Sequence, residues 1–110
     1  PDAIRSALDE TEPALGFIVG RRAGLPAGTT VRFDLGGAVA ATYCVEVADR
    51  ARVVDALDGE PSVAVALDAL LFLRLTGGRI AGEPLIGSAV HVTGDHALGQ
   101  QLVANLAFTI

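Results

Sequence analysis

Between Thr29 and Leu67 the chain carries four strand-like runs in succession, with no helical pattern between them. Thr29 to Leu35 alternates: Val31, Phe33 and Leu35 face one way, Thr30, Arg32 and Asp34 the other. That period of two marks a strand covered on one face. Ala41 to Val47 alternates again, with Tyr43, Val45 and Val47 set against Thr42, Cys44 and Glu46. Arg52 to Leu57 and Ser62 to Leu67 supply the third and fourth runs. Gly36-Gly37 reads as a two-residue hairpin turn, because glycine accepts the positive φ such a turn needs. Asp49-Arg50 and Asp58-Gly59-Glu60-Pro61 read as the second and third turns. Strands grouped in this way argue against a doubly wound α/β sheet and for α+β. Short connections predict that the four runs form a meander. Ala64 and Ala66 leave the second face of the fourth run small enough to be closely covered.

Helical patterns flank this block. From Pro1 to Arg22, Ile4, Ala7, Leu8, Leu15, Ile18 and Val19 recur at helical spacing, with Asp2 able to cap the start. Pro13 cannot donate the helical hydrogen bond, so two helices are predicted, at about 3–10 and 13–22. Gly24 to Gly28 is a loop. After Leu67, Asp68 caps a helix over Ala69–Leu75, and Gly77 is predicted to end it in a left-handed conformation. Ile80 to Ser88 is a loop containing Gly82, Pro84 and Gly87. Ala89–Thr93 is a fifth strand. Asp95 caps a last helix over His96–Ala107, with Leu98, Leu102 and Leu106 in one row. The predicted architecture is α+β: a five-stranded, mostly antiparallel sheet covered on one face by helices.

Length and charge narrow what such a fold can do. The 110 residues make a single domain, 1–110. Cys44 is the only cysteine, so neither an internal disulfide nor a cysteine zinc cluster can form. The net charge is −5 and every cation is an Arg, which argues against a nucleic-acid partner. Hydrophobic residues reach 51% and mean hydropathy is +0.49, yet the richest stretch, Val63–Leu75, is broken by Asp68 and Arg74. It falls short of the roughly 18 apolar residues of a membrane helix. No basic segment followed by an apolar one opens the chain, which predicts a cytoplasmic protein. The first residue is Pro1 rather than Met, which predicts a longer natural chain. The apolar surplus is Ala, Val and Leu. The aromatic residues are Phe17, Phe33, Tyr43, Phe72 and Phe108.

The helix after Asp68 is the first place to look for function. Leu70, Leu71, Phe72, Leu73 and Leu75 leave Arg74 as its single charged residue. A helix apolar on all sides is buried, lines a cavity, or meets another domain. Burial in the core ranks first, tunnel lining next. In the tunnel reading Leu71, Phe72 and Leu75 form the wall, and Arg79, after Gly77-Gly78, stands at the mouth to bind a carboxylate or phosphate. Arg74 is the second candidate for that contact; for Arg79 the plainer reading, a glycine C-cap followed by a surface Arg, ranks ahead of it. In Gly94-Asp95-His96 the helix cap accounts for the Asp and leaves His96 in the first turn. His91 and Cys44 share a polar-face parity and would make a nucleophilic pair only if their strands were neighbours. Asp9, Glu10 and Glu12, like Asp55, Asp58 and Glu60, read as solvated surface. No metal-ligand spacing, phosphate-binding loop or dinucleotide fingerprint is present, and no residue is assigned a catalytic role.

Several stretches, in this order, resemble the sterol carrier protein 2 superfamily. They are Val31-Arg32-Phe33-Asp34-Leu35, Tyr43-Cys44-Val45-Glu46-Val47, Leu73-Arg74-Leu75-Thr76-Gly77-Gly78-Arg79, and Val90-His91-Val92-Thr93-Gly94-Asp95 leading into Ala97-Leu98. The Gly-Arg step, the stretch Thr93 to Gly99 and the ending Asn105-Leu106-Ala107-Phe108-Thr109-Ile110 are similar to one branch, the C-terminal domain of the actinobacterial mycothiol-dependent maleylpyruvate isomerases. The resemblance implies a sterol-carrier-like fold packed on an N-terminal helical domain. That domain would carry a divalent metal on His and Glu ligands, with mycothiol as the thiol cofactor. This chain would then be the accessory half, holding neither cofactor itself. The alternative is a stand-alone carrier of a sterol, lipid or other apolar small molecule. The lack of Met and scarcity of aromatics weigh against a broad, adaptable tunnel. A second copy of the chain is the remaining candidate partner for the apolar surplus.

Overall fold

The computed structural model describes residues 2–107. Pro1 and residues 108–110, among them Phe108 and the end of the family-like C-terminal stretch, lie outside the described residues. Helix α1 spans Asp2–Thr11 and buries Leu8 and Thr11. Asp2 is its first helical residue rather than a preceding cap, and its charge still suits a helix N-terminus. Pro13 ends α1 as predicted. It sits in a 3₁₀ turn, Glu12–Ala14, after which α2, Leu15–Phe17, runs on into a π-turn at Ile18–Arg22. The π-turn is closed by the bond from Ala23 N to Ile18 O at 2.8 Å.

The sheet contains β1 (Thr30–Gly36), β2 (Ala41–Val47), β3 (Ala51–Val54), β4 (Val63–Asp68) and β5 (His91–Gly94). Their spatial order is β3-β2-β1-β4-β5. All pairs are antiparallel except β1 with β4, which is parallel. The predicted meander is therefore corrected. Only β1, β2 and β3 follow one another across the sheet, and β4 lies against β1. Burial gives the reason. In β4, Val63, Ala64, Val65 and Leu67 are all buried, so it belongs in the middle of the sheet. The short, half-exposed β3 suits an edge. Two polar bonds pin the parallel pair where it begins: Thr30 N donates to Ser62 Oγ at 3.0 Å, and Ser62 N to Thr30 Oγ1 at 2.9 Å.

The turn between β1 and β2 is also longer than predicted. Leu35 pairs with Ala41, so residues 36–40 make the connection. Gly36 stays in the sheet because it also faces Asp68 on β4. Gly37 takes the positive φ, at 86°, and Val39 folds back to be 4% exposed. Burying that valine is worth about 1.5–3 kcal/mol, which favours the longer loop over a tight turn.

Helix α3 (Ala69–Thr76) follows β4 without a loop. Helix α4 (His96–Val103) follows β5 and ends sooner than predicted, although Leu102 and Leu106 are both buried. The helices cover the face formed by Val31, Phe33, Leu35, Val45, Val63 and Val65 and close one core with it. The opposite face carries ion pairs at Arg32–Asp34, 2.9 Å, and Arg52–Glu46, 3.1 Å. The Asp34 bond is the main reason that the Arg32 guanidinium holds its proton more firmly than usual. Among the described residues no helix is long and apolar enough to cross a membrane.

Tyr43 reports on this packing. Burial raises its phenol pKa above the ordinary 10.0, and the carboxylates of Glu12 and Asp9 push in the same direction, against Arg5. Because the folded value exceeds the unfolded one, the contribution to stability is complete below about pH 10 and is lost as pH rises through the folded value. The chain has one Tyr and no Trp, so phenolate absorbance reads this group alone. A midpoint above 10.0 is expected, with Tyr43→Phe reducing the loss of stability at alkaline pH; a midpoint at or below 10.0 would contradict the packing.

Candidate functional site

Helix α3 begins with its cap. The Asp68 carboxylate accepts from Leu70 N at 2.9 Å and from Leu71 N at 3.3 Å. Ala69, Phe72, Leu75 and Thr76 then turn inward, while Leu70 is 43% exposed and Arg74 is exposed. The all-apolar helix thus has an inner and an outer side. Phe72 is fully buried, with its ring centroid 5.5 Å from that of Phe33 at a tilt of 58°. It is a core residue that locks the helix onto β1. Leu71 is half-buried and packs against the same core.

The end of α3 sets the position of Arg79. Gly77 is not left-handed, as predicted, but helical, with φ −79°. Gly78 takes the left-handed conformation, at φ 74°. The helix runs one residue further than expected because Thr76 can be buried there, its hydroxyl donating to Phe72 O at 3.0 Å. Gly78 N then bonds Leu75 O at 3.1 Å and Arg79 N bonds Arg74 O at 2.9 Å. This paired closure is a Schellman motif, and it turns the chain from the helix axis toward the C-terminal segment.

A cleft of about 310 Å³ opens there. Leu75, Gly78, Arg79, Ile80, Ala81 and Gly82 form one wall, and Val103, Ala104, Leu106 and Ala107 the other. Arg79 is the only ionisable side chain among these lining residues. The walls meet at Gly82, where a Cβ would lie 2.8 Å from Val103 Cγ1 and 3.2 Å from Leu75 Cδ1. The second wall is tied down from outside: Arg22 Nε donates to Ala107 O at 3.0 Å, and Gln101 Nε2 donates to Ala23 O. Of the residues singled out from the sequence, Arg79 and Leu75 thus share one cleft. Arg74, Leu71 and Phe72 are not among its lining residues.

The other sequence candidates separate. Cys44 on β2 and His91 on β5 have β1 and β4 between them, three strand spacings or about 14 Å. They cannot form a nucleophilic pair. Asp95 caps α4, accepting from Leu98 N at 3.1 Å. His96 lies in a shallow cleft beside Glu83 and Gln100. Among the described residues no three His, Cys, Asp or Glu side chains gather as metal ligands.

A second, larger groove escaped the sequence reading. It holds about 620 Å³ between the α2 region and the β2–β3 turn. Gly16 and Gly20 allow it to form. A Cβ on Gly16 would lie 2.8 Å from Ala51 O, and one on Gly20 2.9 Å from Ala51 Cβ. The helical segment therefore rests directly on β3, which brings Phe17 and Arg21 to the same groove as Asp49 and Arg50. The readable signal was the pair of glycines four apart inside a helical pattern.

No family model matches the chain, and no curated protein matches it. Solved structures do. The chain is similar to sterol carrier protein 2 from Yarrowia lipolytica in its apo form, with 14% identity over 94% of this chain and 88% of that one and a TM-score of 0.56. It is similar to sterol carrier protein 2 like 2 from Aedes aegypti, with 17% identity over 91% and 96% and a TM-score of 0.64. A UbiJ-SCP2 ubiquinone synthesis protein aligns at 19% identity over 96% and 90%, with a TM-score of 0.57. The fold is sterol carrier protein 2-like.

The core position of Phe72 has a direct consequence. Phe72→Ala is expected to cost about 3–5 kcal/mol of stability, as removal of a fully buried aromatic ring does. Urea unfolding measures it. A loss below about 1 kcal/mol would place the ring on an open surface instead.

Proposed function

We propose that this domain binds an apolar small molecule with an anionic head, as a lipid or small-ligand carrier does, in the cleft between α3 and the C-terminal segment. One observation carries the reading: a cleft whose other lining residues are all uncharged Leu, Ile, Val, Ala and Gly holds a single guanidinium, Arg79, at its side. Ile80, 43% exposed, adds an unsatisfied apolar surface at the same place. The planar fork of Arg matches a carboxylate in two parallel bonds. The volume lies at the small end of ligand sites, which favours a short or partly inserted chain over a whole sterol. The sterol carrier protein 2-like neighbours support the carrier class. The accessory role in a mycothiol-dependent isomerase rests on the sequence resemblance; in that reading the metal ligands come from elsewhere, and no catalytic step runs through the residues described here.

The test is titration with a fluorescent acyl carboxylate and with the acyl alcohol of the same length. The carboxylate is expected to bind more tightly, and Arg79→Gln to weaken it about tenfold, the range of one charge-assisted hydrogen-bonded contact, while leaving the alcohol unchanged. No saturable binding of either probe would overturn the reading; equal binding to the variant would remove Arg79 from the site.

A further inference from the structure

We propose that the groove between the α2 region and the β2–β3 turn is a second, separate ligand site, for an oxyanion attached to a flat aromatic ring. Charge is the first argument. The chain carries −5 overall, yet this groove gathers Arg21 and Arg50 against the single carboxylate of Asp49. Elsewhere Arg32 and Arg52 are paired with carboxylates and Arg22 is bonded to Ala107 O. The side chains of Arg21 and Arg50, like those of Arg5, Arg74 and Arg79, have no ion-pair or hydrogen-bond partner among the described residues; only Arg21 and Arg50 share a groove. Two free guanidinia in one concavity of an acidic protein favour an anion.

Shape is the second argument. About 620 Å³ is far more than a bare inorganic oxyanion fills, and is typical of sites for larger ligands. The large apolar side chain open to this space is Phe17, 50% exposed. Leu25 and Val47 also line the groove but are almost wholly buried. A long acyl chain would be left largely in water, whereas a ring can stack on Phe17. Rigidity is the third. The contact of Gly16 and Gly20 with Ala51 fixes the helix against the sheet, so the backbone that carries Phe17, Arg21 and Arg50 is in place without a ligand. The groove shares no lining residue with the Arg79 cleft, so the two sites stand or fall independently.

Calorimetric titration of the 110-residue chain at low salt tests this with naphthoate, AMP, inorganic phosphate and neutral naphthalenemethanol. Saturable binding of naphthoate or AMP is expected, at least tenfold tighter than that of phosphate or the neutral ring. Preference between the two tells whether the oxyanion is a carboxylate on a ring or a phosphate on a nucleoside. Phe17→Ala and the double change Arg21→Gln with Arg50→Gln should each weaken the favoured probe at least fivefold. Asp49→Asn should tighten it two- to threefold, and Arg79→Gln should leave it unchanged. Equal binding of phosphate, or of the neutral ring, would overturn the assignment, as would absence of binding. Should a variant fail to fold, amide shifts of the unaltered protein decide: changes at Gly16, Gly20 and Arg50 support the site, and changes confined elsewhere overturn it.

Discussion

The parallel pairing of β1 with β4 is the contact on which the other elements depend. Among the described residues it sets the one non-sequential step in the sheet and places the strand richest in buried residues inside it rather than at an edge. It also delivers Asp68 to the sheet end, where that residue finishes β4 and caps α3 in one move. With no loop between strand and helix, the direction of α3 is constrained by the strand. Phe72 then reaches Phe33 on the neighbouring strand, and sheet and helix layer are joined through two rings. The paired bonds of Thr30 with Ser62 guard the other end of the same strand pair. Long-range parallel pairing needs a crossover and brings residues distant in sequence together before its contacts can stabilise it.

Both clefts arise from how helices end or rest on this frame. The Schellman closure at Gly78 swings Arg79 out of the helix axis toward the C-terminal wall. The glycine pair in the first helical region lowers α2 onto β3 and opens the groove beside it. In each case small residues permit an approach, and an Arg stands where the approach leaves space. The two clefts differ in chemistry: one has a single cation among uncharged residues, the other two cations, one carboxylate and one ring.

Local chemistry was legible in the sequence. The alternation of Val31, Phe33 and Leu35, the break at Pro13 and the caps at Asp68 and Asp95 each depend on residues within a few positions. The sheet order was not, because nothing in the pattern of β4 says that it pairs with β1 rather than β3. The length of the turn between β1 and β2 was misjudged for a related reason: the burial of Val39 that favours the longer loop depends on a core that only the folded chain supplies. The left-handed glycine was misplaced by one residue, since Gly77 and Gly78 are chemically identical and burial of Thr76 decides between them. Leu75, taken from the apolar helix, and Arg79, taken from its place in the Gly-Arg step, line one cleft, whereas Leu71, Phe72 and Arg74 are not among its lining residues. Periodicity alone would group Leu71 and Phe72 with Leu75, four and three residues before it; they lie a turn nearer the start of α3, whereas the cleft opens at its end. Phe17, Arg21 and Arg50 went unnoticed because their grouping requires β3 to meet the first helical region.

The most direct test of the carrier reading is a backbone-amide NMR titration with an acyl carboxylate. The account predicts saturable shifts confined to residues 75–82 and 103–107, with Arg79 among the largest. Shifts centred on Phe33 and Phe72 would mean that the ligand enters by opening the core, and absence of saturable shifts would mean that the cleft holds no such molecule; either result contradicts the account.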